Sequence, residues 1–558
     1  MTMDSHHRHD DASETTPAAP VASFRDKSNV AEIFYLSELQ QGMLAHALKG
    51  GDDAYHIRHV FEIAGNFDPE RFARAWGAVV ARHAMLRADI RWREIPKPVH
   101  IVYRRTAGSL AMADWRGLDP AAQRARLEAD LATARAAGFD FARAADPAVQ
   151  LIRIADDRWW FTWRFHHVQL DGWSVARILA DLLAAYRGEA PGAPAPSFRS
   201  HIKWLEGRDL AAADAWWQAE LAGTEAATPL PPAEGPFGQG HAERIRHLDA
   251  GTTAALDRLA RRAGATLSTL LQAAWGWLLA THAGTDEALF GVTLSGRPAE
   301  LDGVEQIAGL FINTLPLRVT LDRSLNVTDW LAAAQRRMNA LRPHDHVPLA
   351  RIRGLAPVVD GPLFDTILVV ENFPVDAALG AADGDVTIRV PGPAAPEDGV
   401  IATDGRNHYP LSLIAETGPR LKLVLAYDLA RYGHDDIARL MAQLVRVLAA
   451  LPAAADRPLG GFAPFDDMPR RPLPAAPQLL PDHLGRHDPA AVAVVDGARA
   501  ITYGDLARDA ARLAARLGAL GVRPGDRVAL IAPRSAGFVA AVSGIWRAGA
   551  AYVPLDPA

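Results

Sequence analysis

The stretch FHHVQLDGWS, from Phe165 to Ser174, decides how this chain is read. It follows WWFTWRFHH, in which Trp159, Phe161, Trp163, Phe165 and His167 alternate with Trp160, Thr162, Arg164 and His166. That alternation predicts a strand with bulky residues on both faces, central in a sheet. After the loop VQLDGW, positions Val175, Ile178, Leu179, Leu182 and Tyr186 predict a helix, with Ser174 placed to cap it. If the strand ends near His167, the two imidazoles point to opposite faces. One can then serve a given cavity while the other packs or binds backbone. Adjacent histidines on opposite faces cannot chelate one ion, and no third ligand is evident, which argues against a metal. Asp171, in a glycine-containing strand-to-helix turn, is placed to orient something. From spacing alone, a packed histidine pair beside a plain DG turn is the commoner arrangement.

Around this stretch the chain has 558 residues, beyond the ~250–300 at which a single core stops growing, so at least two core-forming units are expected. Apolar residues make up 49% and charged residues 22%, and the net charge is -6, which calls for neither nucleic acid nor membrane as a partner. Cysteine is absent, which removes disulfides, thiolate nucleophiles and zinc–thiolate sites together. The first thirty residues lack the apolar core of a signal peptide. The most apolar later stretch, SAGFVAAVSGIWRAGAAYVPL, is interrupted by Arg547, so the expected location is cytoplasmic.

Residues 1–22 mix histidine, acid, proline and small residues without periodicity and read as a disordered tail, SHHRHD included. Asp68 and Pro69 supply an N-cap and first-turn proline for a helix with Phe72, Trp76, Val79 and Val80 at helical spacing. Arg82, His83, Leu86 and Arg87 follow it. APGAPAPS, near 190–197, reads as a linker. A second long segment carries TLLQAAWGWLLATHA, ALFGVTLSGR, FINTLPLRV and DTILVVENF, and ends near proline-rich RRPLPAAPQLLP. The last part is α/β in style. Thr502 and Asp505 open a helix with Leu506, Leu513, Leu517 and Leu520 in one stripe, and Gly521 and Pro524 stop it before RVALIA.

HHVQLDG fits the HHxxxDG pattern, and it has company. YLSELQQGMLAHAL, RHAMLRADI, FRSHIKWL, GLFINTLPLRV, LFDTILVVENFP and HYPLSL follow in the order of the remaining condensation motifs. Over roughly residues 30–465 the chain resembles a nonribosomal peptide synthetase condensation domain, of the chloramphenicol acetyltransferase superfamily. ITYGDL and WRAGAAYVPLDP are similar to the first two core motifs of an adenylation domain. Epimerization domains share the histidines but follow a carrier domain, and heterocyclization domains replace the histidines with aspartate. Neither pattern fits here.

The resemblance implies an α/β fold of two chloramphenicol acetyltransferase-like lobes in a V-shaped pseudo-dimer, followed by a partial α/β adenylation subdomain. The expected division is a tail over 1–22 and either a docking helix or the first element of the lobe over 23–34. An N-lobe over 35–197, a C-lobe over 198–465, a linker over 466–480 and a truncated adenylation start over 481–558 complete it. The family condenses two thioesters held on carrier-protein phosphopantetheine arms, so no cofactor is expected to bind the chain directly. His167, the second histidine of the motif, is the expected catalytic residue. His166 is expected to pack, Gly172 to offer backbone near the reacting carbonyl, and Asp171 to pair with Arg87, with Arg82 near it. Trp173 and Ser174 flank the tunnel by analogy, while Arg297, Asn313 and Tyr409 fall on motifs of the second lobe.

With no carrier domain ahead of the condensation unit, the donor carrier is expected in trans and the acceptor carrier downstream. SFRDKSNVAEIFYLS resembles a communication helix of synthetases that receive a chain in trans. The FHH…DGWS and QQGML contexts are closer to relatives that take a D-configured donor. Two other readings stay open, a free-standing acyltransferase using coenzyme A and a non-catalytic docking platform for carriers.

Overall fold

The computed structural model describes residues 25–49, 55–106, 110–145, 148–189, 194–224, 240–357, 361–371, 386–389, 398–402, 409–464, 487–497, 499–533 and 535–555, together with positions 192, 227, 228 and 238. The sequence expectations for the tail over 1–22 and the linker over 466–480 lie outside them. The chain divides into two compact units, Met1–Met468 and Pro469–Ala558.

In the first unit the central sheet of the N-terminal half is built around the aromatic strand. Its order is β12 (Thr387–Arg389), β2 (His56–Ala64), β7 (Arg158–His166), β6 (Ala148–Arg153) and β5 (Ala111–Asp114). Trp159, Trp160, Phe161, Trp163 and Phe165 are all buried, so both faces of β7 are covered, as the alternation of bulky residues predicts. The helix Pro69–Arg82 packs on one face through Phe72, Trp76, Val79 and Val80; Asp68 caps it by accepting from the Arg71 N–H, and Pro69 stands in its first turn.

A second, three-stranded sheet has the order β1 (Val30–Tyr35), β4 (Val99–Tyr103) and β3 (Ala88–Arg91). Here the helix considered over 23–34 is corrected. Lys27–Asn29 form a single 3-10 turn and Val30–Tyr35 pair antiparallel with β4, because burial along VAEIFY alternates as a strand's does.

The C-terminal half holds a seven-stranded sheet in the order β10 (Asn313–Thr320), β9 (Glu287–Leu294), β11 (Thr366–Glu371), β14 (Leu411–Glu416), β15 (Lys422–Asp428), β8 (His241–His247) and β13 (Asp398–Ala402). The apolar helix Leu267–Ala283 packs against it with twelve buried residues from Thr269 to Ala280.

The two halves do not separate cleanly at 197/198. Strand β12 pairs with β2 in the first sheet, and Phe198, Ile202, Val304, Ile307, Ala308 and Phe311 pack in the core of the first half. This crossing of the second half onto the first brings the functional turn against Arg297.

The second unit contains two strand pairs, β16 (Val492–Asp496) with β17 (Arg499–Thr502), antiparallel, and β18 (Arg527–Ile531) with β19 (Ala551–Leu555), parallel. Thr502 caps the helix Tyr503–Ala519 as its sequence indicates. Leu506 is buried, but Leu520 is 73% exposed and lies off the packed stripe. Among the described residues no helix is long and apolar enough to cross a membrane.

Candidate active site

Strand β7 ends at His166, opposite His56, and the next residue leaves the strand while keeping one ladder-like bond, His167 N–H to Tyr55 O at 2.9 Å. The two histidines then diverge. His166 is fully buried, with Phe141 and Phe139 rings at 4.8 and 5.4 Å, and its Nδ1 accepts from the Val168 N–H at 3.0 Å. It packs and holds the loop.

His167 keeps part of its surface exposed, although its ring is desolvated. Its Nδ1 lies 3.0 Å from Leu170 O. A carbonyl oxygen only accepts, so this contact assigns the proton to Nδ1 and leaves Nε2 with its lone pair free. Burial lowers the pKa below the ordinary histidine value, the Leu170 carbonyl opposing and His166 adding to it. The ring is therefore a neutral acceptor at physiological pH. His59, the cross-strand partner of Trp163, is also held down, to about 4, by burial and then by His167. It too stays uncharged.

Asp171 is fully buried and caps the helix Gly172–Arg187 by accepting from the Ser174 N–H at 2.8 Å. The cap assigned to Ser174 from sequence therefore belongs to Asp171, and Ser174 stands two residues inside the helix. The Asp171 carboxylate also accepts from Arg297 Nη2 at 3.2 Å and from the Phe311 N–H at 3.1 Å, while its own N–H donates to Gly309 O at 3.2 Å. The Ser174 hydroxyl lies 2.6 Å from Asp171 Oδ1 and 2.8 Å from Gly309 O, with one proton for the two. It accepts from the Gly309 N–H and from Arg297 Nη2, each at 3.0 Å. One turn of the first half is thus clasped to residues 309–311 of the second.

The expected pairing of Asp171 with Arg87 or Arg82 is overturned. Arg87 sits at the end of its 3-10 turn and its guanidinium donates to the carbonyls of Val80, Tyr103, Arg104 and Ala81. Arg82 donates to Asp181 at 3.0 Å, beside His83 on the same carboxylate at 2.8 Å. Arg297 is the partner because Gly296 can approach the Phe311 carbonyl where any Cβ would overlap it, at a φ of 59° that suits glycine. The guanidinium is then fixed by the Val304 and Ile307 carbonyls at 2.6 and 2.9 Å and lies 4.1 Å over the Phe311 ring. Burial works against its charge and Asp171 supports it.

The other sequence candidates are spread around this clasp. Gly172 is the first residue of the helix, and Trp173 Nε1 donates to Glu305 O at 3.2 Å. Asn313 is buried and donates to the Asp345 and Val347 carbonyls, each at 2.8 Å, leaving its Oδ1 unpartnered. Tyr409 stacks on Phe364 at 5.5 Å, away from the clasp, and burial raises its pKa to about 12.

A cavity of about 280 Å³ is lined by Ser37, Glu38, Leu39 and Gln41 from the start of the helix Glu38–Leu48, by His201 and Trp204, and by Leu310, Phe311, Asn313 and His346. His201 went unnoticed within FRSHIKWL. It is 5% exposed, its ring lies 4.4 Å from that of Phe311, burial and then Arg297 lower its pKa to about 3, and its Nδ1 has no partner. Only the aromatic residues around it hinted at such a site. His167 is not among the described wall residues. Phe311, bonded to Asp171, is where the cavity meets the clasp.

Residues 30–465 match the family described as Condensation domain, and residues 482–558 match AMP-binding enzyme. A linear gramicidin synthase protein of Brevibacillus parabrevis is 34% identical over 557 residues, which are 95% of this chain and 7% of that protein. Surfactin synthase subunit 3 of Bacillus subtilis (strain 168) is 28% identical over 556 residues, 95% of this chain and 42% of the relative. The chain therefore spans less than half the length of either. Among solved structures, the condensation domain from Monacolin K polyketide synthase matches with a TM-score of 0.64 at 19% identity, covering 77% of this chain and 100% of that one. A four-domain nonribosomal peptide synthetase bound to AMP and glycine matches with a TM-score of 0.63 at 17% identity, covering 95% and 42%. At these identities the likeness to solved structures is one of fold, and the family match over most of the chain is what assigns it. The chain belongs to the condensation-domain family, as a nonribosomal peptide synthetase condensation domain followed by an AMP-binding segment.

Proposed function

We propose that the chain forms a peptide bond between two thioesters, each carried on the phosphopantetheine arm of a carrier protein. The observation that carries this reading is His167, a neutral ring whose Nδ1–H is engaged by Leu170 O and whose Nε2 is left to accept. The acceptor α-amine has a reference pKa of about 7.7–8.0, so on the order of a tenth is neutral at pH 7 and no strong base is needed to start. The amine lone pair attacks the donor thioester carbonyl and a C–N bond forms. The nitrogen becomes acidic in the adduct and passes its proton to His167 Nε2. Collapse of the adduct breaks the C–S bond, and the departing thiolate takes the proton back. Holding both arms in register removes part of the entropic barrier.

In this reading Asp171, Ser174 and Arg297 hold the turn that follows His167, and Gly172 offers a backbone N–H at a helix start for the developing oxyanion. His166 packs, and Trp173 borders the passage. The cavity beside Phe311 suits one arm. Asn313 otherwise holds the 345–347 backbone, and Tyr409 is structural. Arg82 and Arg87 act on folding alone. The FHH…DGWS context favours a D-configured donor.

A single-turnover assay with both carriers loaded tests the reading. His167→Ala lowers product at least tenfold while both carriers still bind; unchanged product removes His167 from the mechanism. D- and L-donors compared in the same assay decide stereochemistry, a faster L-donor overturning that part. One observation favours a docking platform without chemistry, namely that the described cavity wall does not include His167. Carriers that bind with no amide formed by the wild-type chain would establish that alternative.

A further inference from the structure

The loop from His167 to Asp171 is pinned almost bond by bond, and three of the pins come from far away in sequence. His167 N–H reaches Tyr55 O, Val168 N–H reaches the His166 ring, Gln169 N–H reaches His166 O at 2.9 Å, and Asp171 N–H reaches Gly309 O. The Val168 carbonyl, between His167 and its own acceptor Leu170, is held by the side chain of Gln40, at 2.7 Å from Nε2. Gln40 is fully buried in the first turn of the helix Glu38–Leu48.

Its amide is committed on both sides. Oε1 accepts from the Ser37 N–H at 3.0 Å while Gln40 N–H donates to Ser37 Oγ at 3.2 Å, a reciprocal capping box. With Oε1 so engaged, the NH2 group faces Val168 O and His100 Nε2, the latter at 3.1 Å. Burial lowers the His100 pKa to about 3, so that ring is neutral and its Nε2 can accept. Both amide protons are used and no flipped orientation satisfies the same partners.

We propose that Gln40 is a positioning residue for His167, fixing the Val168 carbonyl so that the Leu170 carbonyl meets His167 Nδ1 and Nε2 faces the reacting amine. The inference rests on the catalytic reading of His167 given above. Because Ser37, Glu38, Leu39 and Gln41 line the cavity, the same side chain ties one cavity wall to the histidine loop.

Two variants in the 558-residue chain separate loop-holding from helix-capping. Gln40→Glu keeps the acceptor for Ser37 N–H but replaces the donating amide with a carboxylate facing a carbonyl; Gln40→Met removes both contacts at similar volume. Single-turnover rates at pH 8 with loaded carriers fall at least fivefold in each folded variant, with the acceptor concentration for half-maximal rate changed less than twofold. In a His167→Ala background the same substitutions change the residual rate less than twofold. Thermal melts identify any variant that fails to fold, and Gln40→Glu, which retains the cap, then carries the test. A wild-type rate in folded Gln40→Glu, or losses that multiply in the His167→Ala background, overturns the inference. A His167→Ala chain as active as wild type instead overturns the catalytic reading.

Discussion

Two carboxylates of the first half, Asp171 and Asp181, lie ten residues apart in the chain, on one helix and its cap, and each holds a guanidinium. Their surroundings differ in kind. Asp171 is fully buried and, beyond Ser174 on the helix it caps, its partners come from the second half: Arg297, the Phe311 N–H and, through Ser174, both polar groups of Gly309. Asp181 keeps 14% of its side chain exposed and gathers Arg82, Arg177 and His83, all from the first half. One carboxylate therefore fastens the functional turn across the fold, while the other fastens two helices of one layer. Removing a partner from the first strands a buried charge, whereas the second retains two partners and access to water.

The sharpest break in this comparison is Asp171→Ala. It leaves the Arg297 guanidinium, 6% exposed, facing no carboxylate, removes the helix cap and frees the Phe311 N–H. Loss of about 3–5 kcal/mol is expected, read as a fall in the chemical denaturation midpoint at unchanged slope. Arg297→Met costs less, because Asp171 keeps the Ser174 and Phe311 N–H donors. An Asp171→Ala chain as stable as wild type would show that the clasp contributes nothing.

Much of this was legible from residues alone. Asp68-Pro69 and Thr502 announce helix starts because a cap is a local event, complete within four residues, and the two-faced strand was plain in WWFTWRFHH. The partner of Asp171 was not legible, since it lies 126 residues away and depends on Gly296 meeting the Phe311 carbonyl. Three residues of β12 joining the first sheet carry too little pattern to predict. Gln40 did leave a signal, the S-x-x-Q spacing of a capping box at Ser37, but that spacing says nothing of where the amide's other face points.

At Asp181 the expected effect is smaller and is best seen against pH. Arg82→Met removes one of three partners from a carboxylate that water can still reach, so a loss of about 1 kcal/mol is expected in the same denaturation measurement. The carboxylate itself sets the sharper test. Burial opposes its ionisation, but the His83 and Arg177 contacts outweigh that and hold its pKa at about 2. A carboxylate whose folded pKa lies below its unfolded value of about 3.9 stabilises the fold fully above that value and loses the contribution as pH falls toward the folded one. Wild type should therefore lose stability between about pH 4 and pH 2 more steeply than Asp181→Asn, whose amide does not titrate there. Because the other titrating carboxylates are common to both chains, the difference between the two denaturation curves isolates Asp181. Parallel curves through that window would mean that the three contacts do not favour the ionised form, and the contrast with Asp171 would then reduce to burial alone.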